Sequence, residues 1–201
     1  MNTVSGTNKD YANFLKEYYF PHCKDKHILE IGPYGTGFHT KLIQEFNPKS
    51  HTAIEGDPEQ CEIFAKNFPN VDLIKNDALI ELNQKQHYDV VVCFGVIYHL
   101  HSPLHLLELI VNNATPDLLF LDCVNAPRNN EVLAVEEDTN LEGNRFTTEQ
   151  WRSVNYNMIV PFDIIAKSMS HLGYISVDKS SLNITDNFTK SKSWIGVWER
   201  K

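Results

Sequence analysis

Strand-like and helix-like hydrophobic patterns alternate along most of this chain, and no other feature limits its possible folds as strongly. Short apolar runs at 27–31 and 51–55 are separated by a segment at 38–46 whose apolar residues recur at helical spacing. The run Tyr88 to Phe94 is apolar almost throughout, as expected for a strand buried on both faces at the centre of a sheet. This alternation predicts a parallel sheet flanked by helices.

The last two β-rich segments, Tyr174 to Leu182 and Ser193 to Glu199, are separated by a polar stretch too short for a crossover helix. A parallel pair needs a connection of about a dozen residues or more, so these two strands should be antiparallel. The predicted fold is therefore α/β: a Rossmann-like, doubly wound sheet of seven strands, mostly parallel with an antiparallel last strand, and with helices on both faces.

The length of 201 residues suits one domain with one sizeable core. We expect residues 1–201 to form a single domain, with an N-terminal helical extension over about 1–25. Residues 125–145 are polar, acidic and weakly periodic, which is typical of a long functional loop. The prediction is a lid or acceptor-binding region over about 124–160.

The charge balance limits the class of partner. Lys and Arg number 18 against 26 Asp and Glu, a net charge of −8 that gives no general attraction to nucleic-acid phosphates. We therefore expect a small-molecule substrate and no nucleic acid, and the oligomeric state stays open.

Cysteine usage and hydropathy bear on the compartment. The four cysteines are scattered without a Cys-x-x-Cys pair, which favours a reducing environment. The N-terminus lacks the pattern of a signal peptide, and no run approaches the roughly 18 apolar residues that span a bilayer. We expect a cytoplasmic protein with no membrane association.

A glycine-rich turn follows the first strand, in the segment Ile28 to Gly37 with the sequence ILEIGPYGTG. Gly32, Gly35 and Gly37 would permit positive φ angles and the close approach of a cofactor, which a Cβ would block. The alternative is that these glycines only make a tight strand-to-helix turn.

Two acids mark the ends of the next two strands. Glu55 lies about 20 residues past the turn, where a carboxylate can accept hydrogen bonds from ribose hydroxyls, although a solvated strand-end acid is the alternative. Asp77 can accept from an exocyclic amine while the Ala78 N–H faces a ring nitrogen, although Asp77 could equally cap a helix. Because these strand ends converge on one crevice, the features together predict a nucleotide-containing cofactor.

With these motifs the chain resembles the class I S-adenosylmethionine-dependent methyltransferases of the ubiquinone or small-molecule type, strongly over roughly 26–123. The resemblance implies that Glu30 and the glycine turn hold the methionine half of S-adenosylmethionine. It also implies that Glu55 binds the ribose and that Asp77 with the Ala78 amide binds the adenine. The stretch YDVVVCFGVIYHLHSP is similar to the family's fourth strand and following loop, where the backbone of Phe94 and Gly95 would face the donor's amino group.

Two spacings qualify this resemblance. The family's turn is Glu-x-Gly-x-Gly-x-Gly, whereas this chain has one additional residue between Gly32 and Gly35, which leaves open which glycine meets the donor. The Gly-x-Gly-x-x-Gly spacing of nicotinamide-binding proteins is absent, so a nicotinamide cofactor is not expected.

The acceptor-side chemistry is predicted from the loop after the fourth strand. His99 is the candidate general base, because its ordinary pKa lies near neutral pH, and Tyr98 is the candidate for orienting the substrate. The alternatives are a histidine that only steers the loop and a tyrosine that lies partly in the core. The loop is also similar to that of tRNA wobble-uridine carboxymethyltransferases, in which the tyrosine matching Tyr98 helps to hold a carboxylated donor. We expect ordinary S-adenosylmethionine.

Further candidates are weaker. His101 and His105 lie four residues apart, but no Glu or Cys partner stands at ligand spacing, and no metal is expected. Trp151, Tyr156 and Met158 are candidates for an apolar acceptor pocket or for core packing. Three function classes stay open: a small-molecule methyltransferase, an RNA- or protein-directed methyl or carboxymethyl transferase, and a non-catalytic donor-binding module.

Overall fold

The computed structural model describes residues 2–100, 102–124, 134–137, 156–184 and 192–201. Ten strands are present in these parts of the chain: β1 Asn2–Gly6, β2 His27–Ile31, β3 Ser50–Glu55, β4 Asp72–Lys75, β5 Val90–Cys93, β6 Leu118–Val124, β7 Ala134–Glu137, β8 Tyr156–Ile159, β9 Tyr174–Ile184 and β10 Lys192–Arg200. The α-helices are α1 Asn8–Tyr18, α2 Phe38–Gln44, α3 Pro58–Asn67, α4 Ala78–Glu81, α5 Pro103–Leu109 and α6 Phe162–His171.

Eight of the strands form one sheet in the order β1-β9-β10-β6-β5-β2-β3-β4. The five strands from β6 to β4 are parallel to one another, and β10 runs antiparallel to both β6 and β9. The predicted fold class is confirmed, including the antiparallel last strand. In addition, the sheet carries β1 as an extra edge strand, paired in parallel with β9, so that it has eight strands instead of the seven predicted.

Two apolar clusters lie on opposite faces of this sheet and explain why its central strands are apolar on both sides. One cluster contains Val91 and Leu119 with residues of α5 and α6, and the other contains Val90 and Phe120 with residues of α1 and α2. Burial of alternate residues of the same strand in different clusters requires helices on both faces.

The N-terminal segment contains the helix α1, and the short strand β1 precedes it. In α1 and the 3₁₀ turn Phe20–Cys23, the side chains of Leu15, Tyr19 and Phe20 are completely buried. The ring of Tyr19 lies edge-on to Phe120 of β6, at 5.5 Å between centroids. The extension therefore packs against the sheet. No helix in the described part of the chain is long and apolar enough to cross a membrane.

Candidate donor-binding site

The glycine-rich turn after β2 is shaped by left-handed backbone conformations. Gly32 and Gly37 have φ angles of 66° and 54°, and Tyr34 between them has φ 58°. A non-glycine residue rarely adopts this region, so Tyr34 stores local strain of about 1–2 kcal/mol. Tyr34 is one of the two residues between Gly32 and Gly35, where the family's turn has one.

Side chains from α3 hold this turn in place. The Oε1 atom of buried Gln60 accepts a hydrogen bond from the Gly35 N–H at 3.1 Å, and the Asn67 side-chain amide donates to the Gly35 carbonyl at 3.0 Å. The N–H groups of Gly32 and Gly37 donate to the carbonyls of Ile54 and Tyr34. All three glycine N–H groups therefore have partners within the chain.

The absence of a Cβ atom at these glycines also matters for packing within the chain. A Cβ on Gly32 would lie 2.6 Å from a methyl of Val96, and one on Gly37 would lie 2.1 Å from the ring of Phe68. The tight-turn alternative is thus sufficient to explain why these positions are glycine. It does not conflict with a role in binding.

Glu30 at the end of β2 is buried, with 2% of its surface exposed. Its Oε2 atom accepts a hydrogen bond from the Thr40 hydroxyl of α2 at 2.7 Å and lies 3.0 Å from Nε2 of His51 on β3. Gln44 donates to Nδ1 of His51, which leaves the proton on Nε2 to be donated to Glu30. Groups from two neighbouring elements therefore fix the orientation of this carboxylate.

Glu55 at the end of β3 connects the second predicted motif to the first. Its two oxygens accept hydrogen bonds from the Tyr34 N–H and the Asp57 N–H, each at 3.0 Å. Burial raises the pKa of Glu55, and the hydrogen bonds from the backbone oppose this rise only in part. Each carboxylate oxygen has a second lone pair, so Glu55 can accept further hydrogen bonds from a ligand.

Asp77, two residues after β4, is buried and caps α4. Its Oδ1 atom accepts a hydrogen bond from the Leu79 N–H at 2.8 Å. The helix-cap alternative is therefore present in the structure, and it occupies one of the two carboxylate oxygens. Ala78 is the first residue of α4 and is partly buried. Their role toward an adenine ring stays a prediction.

The end of β5 supplies the fourth element of the crevice. Phe94 is buried, and Gly95 follows with φ 74°. The Gly95 N–H donates to Oδ1 of Asp122 on β6 at 2.6 Å. This bond fixes the direction of the peptide between Phe94 and Gly95, the group expected to face the donor's amino group.

Tyr98 and His99, the residues predicted for the acceptor side, lie in a 3₁₀ turn formed by Ile97–His99. Their rings are 4.3 Å apart between centroids, and both residues are partly buried. The Tyr98 hydroxyl lies 3.6 Å from where a Cβ on Gly95 would stand. The structure thus places Tyr98 beside the end of β5, and the chemical roles of both residues stay predictions.

Three residues at this edge of the sheet were missed in the sequence. Asp122 is the only acid in the apolar strand LLFLDCV, and that interruption was an available signal. The Tyr11 hydroxyl of α1 lies 3.3 Å from Nε2 of His39 on α2, and the His39 ring contacts Phe94 at 5.0 Å between centroids. Burial lowers the pKa of His39 to about 4, opposed by the charge of Glu30, so that His39 is neutral at pH 7.

Other predictions concern residues that the structure does not describe. His101 and Trp151 lie outside the described residues, as do the side chains of Tyr156 and Met158. His105 lies 3.8 Å from Glu108 on the same helix. In the predicted lid region, the structure describes the antiparallel pair β7 and β8 and the end of β6.

Comparison with known proteins begins with a family match. The sequence profile of the methyltransferase domain family matches residues 6–157 of this chain. The chain is also 29% identical over 135 residues to a tRNA U34 carboxymethyltransferase of Campylobacter lari. That alignment covers 63% of this chain and 45% of the relative, so the chain spans less than half the length of the curated relative it matches.

Solved structures share the fold at low sequence identity. A putative RNA methyltransferase from Pyrococcus horikoshii has a TM-score of 0.68 at 12% identity, covering 96% of this chain and 85% of that one. Magnesium protoporphyrin IX methyltransferase from Synechocystis, solved with SAH bound, has a TM-score of 0.65 at 12% identity, covering 96% and 81%.

The fold and the family match agree with the sequence-based expectation of a methyltransferase. The matched segment runs from α1 to β8 and includes every residue predicted to bind the donor. Because this segment covers well over half of the sequence, the chain belongs to the methyltransferase domain family.

Proposed function

We propose that this chain binds S-adenosylmethionine at the carboxyl ends of β2 to β5 and transfers its methyl group to a small-molecule acceptor. The observation that carries this proposal is the placement of Glu30, Glu55 and Asp77. They lie at the ends of three adjacent parallel strands, and their exposed fractions are only 2%, 5% and 8%. Hydrogen bonds within the chain hold these carboxylates in fixed orientations, and a pre-organised set of polar groups at one crevice supports a binding role.

The residues present fit this donor. Glu55 has lone pairs left for ribose hydroxyls, and Asp77 with Ala78 stands at the next strand end, where an adenine would lie. Glu30 and the backbone near Gly95 lie at β2 and β5, the side of the crevice suited to the donor's amino acid part. When bound, S-adenosylmethionine supplies an electrophilic methyl group on a sulfonium centre.

The chain's own contribution is alignment, exclusion of water and control of a proton. Tyr98 beside Gly95 is placed to line the acceptor side of the methyl group. His99 in the same turn is the proposed base where the acceptor must lose a proton.

Ordinary S-adenosylmethionine fits the site better than a carboxylated donor. Tyr98 lies next to Gly95, whose N–H is bonded to the Asp122 carboxylate. A second carboxylate placed beside Tyr98 would meet the like charge of Asp122, and like charges in a partly buried site repel strongly.

A competition measurement tests the choice of donor. We expect S-adenosylmethionine to bind at least as tightly as carboxy-S-adenosylmethionine. Binding of the carboxylated donor at least tenfold tighter, with that preference lost in Tyr98→Phe, would replace methyl transfer by carboxymethyl transfer.

The function itself is tested by two linked measurements. Mass spectrometry of the gently purified protein should detect co-purified S-adenosylmethionine or its by-product. A screen of metabolite pools with isotope-labelled donor should then yield a labelled small molecule. Label that enters tRNA instead, with tRNA binding that weakens steeply with salt, would favour the RNA-directed alternative.

A further inference from the structure

Asp122 is a carboxylate at the carboxyl end of the sheet, and beyond accepting the Gly95 N–H it has no assigned role in the donor site. It lies in β6 between Leu121 and Cys123, whose side chains are buried, and opposite Ile195 of β10. In the sheet order, β6 is next to β5 on the side away from β2, β3 and β4. Asp122 is therefore on the opposite side of Gly95 from the three donor acids, where an acceptor would approach the methyl group.

Among the residues that the structure describes, Asp122 has no cationic partner for its negative charge. Its Oδ1 atom accepts a hydrogen bond from the Gly95 N–H at 2.6 Å. Within the described parts of the chain, no Lys or Arg forms an ion pair with it. Burial raises the pKa of Asp122 to about 7, and the hydrogen bond from Gly95 opposes this rise. A carboxylate held in this way would be stabilised by a cation supplied by a ligand.

Tyr11, which interacts with Asp122, belongs to a group of packed aromatic side chains. The Tyr11 hydroxyl interacts electrostatically with both Asp122 and Tyr98. The Tyr11 ring is parallel to that of Phe38, with 6.0 Å between centroids. Phe94 stands at the end of β5, next to Gly95. Aromatic faces attract cations, and neutral His39, which contacts both Tyr11 and Phe94, adds no opposing positive charge.

Resting on the proposed function but assigning the base to Asp122 in place of His99 when the acceptor is an amine, we propose that Asp122 binds the acceptor in its protonated form and accepts its proton before methyl transfer. The ammonium proton passes to a carboxylate oxygen of Asp122, which frees the lone pair of the nitrogen. The lone pair forms the bond between nitrogen and the methyl carbon, while the carbon–sulfur bond breaks with its electrons remaining on sulfur. The products are a methylated ammonium ion, which carries the positive charge that the sulfonium loses, and S-adenosylhomocysteine, and the proton taken up by Asp122 leaves to water.

The test uses two probes of the same shape on the protein saturated with S-adenosylhomocysteine. At pH 8, 2-phenylethylamine carries a positive charge and 2-phenylethanol does not. We expect calorimetry to show the amine binding at least tenfold more tightly than the alcohol. In Asp122→Asn, which keeps an oxygen to accept the Gly95 N–H, the two affinities should agree within twofold.

A matched variant shows whether the preference for the amine depends on Asp122 itself. Asp117→Asn removes an exposed acid just before β6 that pairs with Arg200, and it should retain the preference for the amine. If the wild-type protein fails to bind S-adenosylhomocysteine, the proposed function fails. If the wild-type protein binds S-adenosylhomocysteine but shows no preference for the amine, or if Asp122→Asn keeps that preference, the assignment of Asp122 is overturned and the proposed function is not.

The pH dependence gives a second readout. The titratable groups that interact electrostatically with Asp122 are Tyr11 from α1 and Cys93 from β5, and burial raises the pKa of both well above neutral. From β10, the facing residue Ile195 is apolar. 2-Phenylethylamine stays charged between pH 8 and pH 5.5, whereas Asp122 gains a proton as the pH falls through about 7. The preference of the protein for the amine over the alcohol should therefore decline as the pH is lowered. A preference equally strong at pH 8 and pH 5.5 would overturn the proposal.

Discussion

Replacing Gly37 by alanine is expected to lower the free energy of unfolding by about 2–4 kcal/mol. Gly37 has φ 54°, and an added Cβ would lie 2.1 Å from the ring of Phe68. The substitution therefore adds strain in the backbone and forces the Phe68 ring away from Phe64, with which it now packs at 4.9 Å between centroids. Because Gly37 caps α2, donor binding should weaken as well.

Gly173 provides a matched control for this prediction. Its φ is 87°, but nothing lies within 4 Å of where a Cβ would stand. Gly173→Ala should therefore lower the free energy of unfolding only by the cost of the backbone conformation, about 1–2 kcal/mol. Urea unfolding of both variants measures the difference. Equal losses would show that the contact between the turn and α3 is looser than described here.

Replacing Glu55 by glutamine is expected to weaken S-adenosylhomocysteine binding by about 1–3 kcal/mol, or roughly 5- to 150-fold. The amide keeps one oxygen as an acceptor but loses the charge and part of the acceptor capacity that the ribose hydroxyls would use. Calorimetry at pH 8 gives this affinity. Since the ligand is the reaction product, the measurement does not require knowledge of the acceptor.

The control for Glu55 is Glu45→Gln. Glu45 is exposed, follows α2 and forms an ion pair with Lys16 of α1 at 2.6 Å. Its substitution should leave binding unchanged. An unchanged affinity in Glu55→Gln, with the fold intact by circular dichroism, would remove Glu55 from the donor site.

Hydrophobic periodicity predicted the fold well because each central strand is buried on both faces. The strand 27–31 matches β2 at both ends, and the short connection before Ser193 correctly indicated an antiparallel pair. Helix α5 ends at Leu109 and continues directly as a π-helical turn, Ile110–Ala114. Periodicity does not distinguish α-helical from π-helical hydrogen bonding, since both bury one face.

The edge strand β1 was not predictable from its side chains. Its sequence, NTVSG, is short and mostly polar, and it joins the sheet through backbone hydrogen bonds to β9, more than 170 residues away in the chain. Backbone pairing leaves no pattern in the sequence when neither face of the strand is apolar. An opening helix was the only feature predicted there.

The site was predicted in part for a similar reason. Glu30, Glu55 and Asp77 follow recognisable strands, so their convergence could be deduced from topology. Their partners could not be deduced in this way. Gln60 of α3 contacts Gly35 in the turn after β2, and Tyr11 of α1 contacts His39 of α2, 28 positions along the sequence. Both contacts depend on how the helices pack on the sheet.

The most direct test of donor binding at the ends of β2 to β5 is a titration of the ¹⁵N-labelled protein with S-adenosylhomocysteine, followed by NMR. The account predicts saturable shift changes at the amides of Gly35, Glu55, Ala78 and Gly95. The amides of Thr115 and other residues at the amino ends of the strands should not change. Changes confined to those amino ends, or none at any concentration of S-adenosylhomocysteine up to millimolar, would contradict the account.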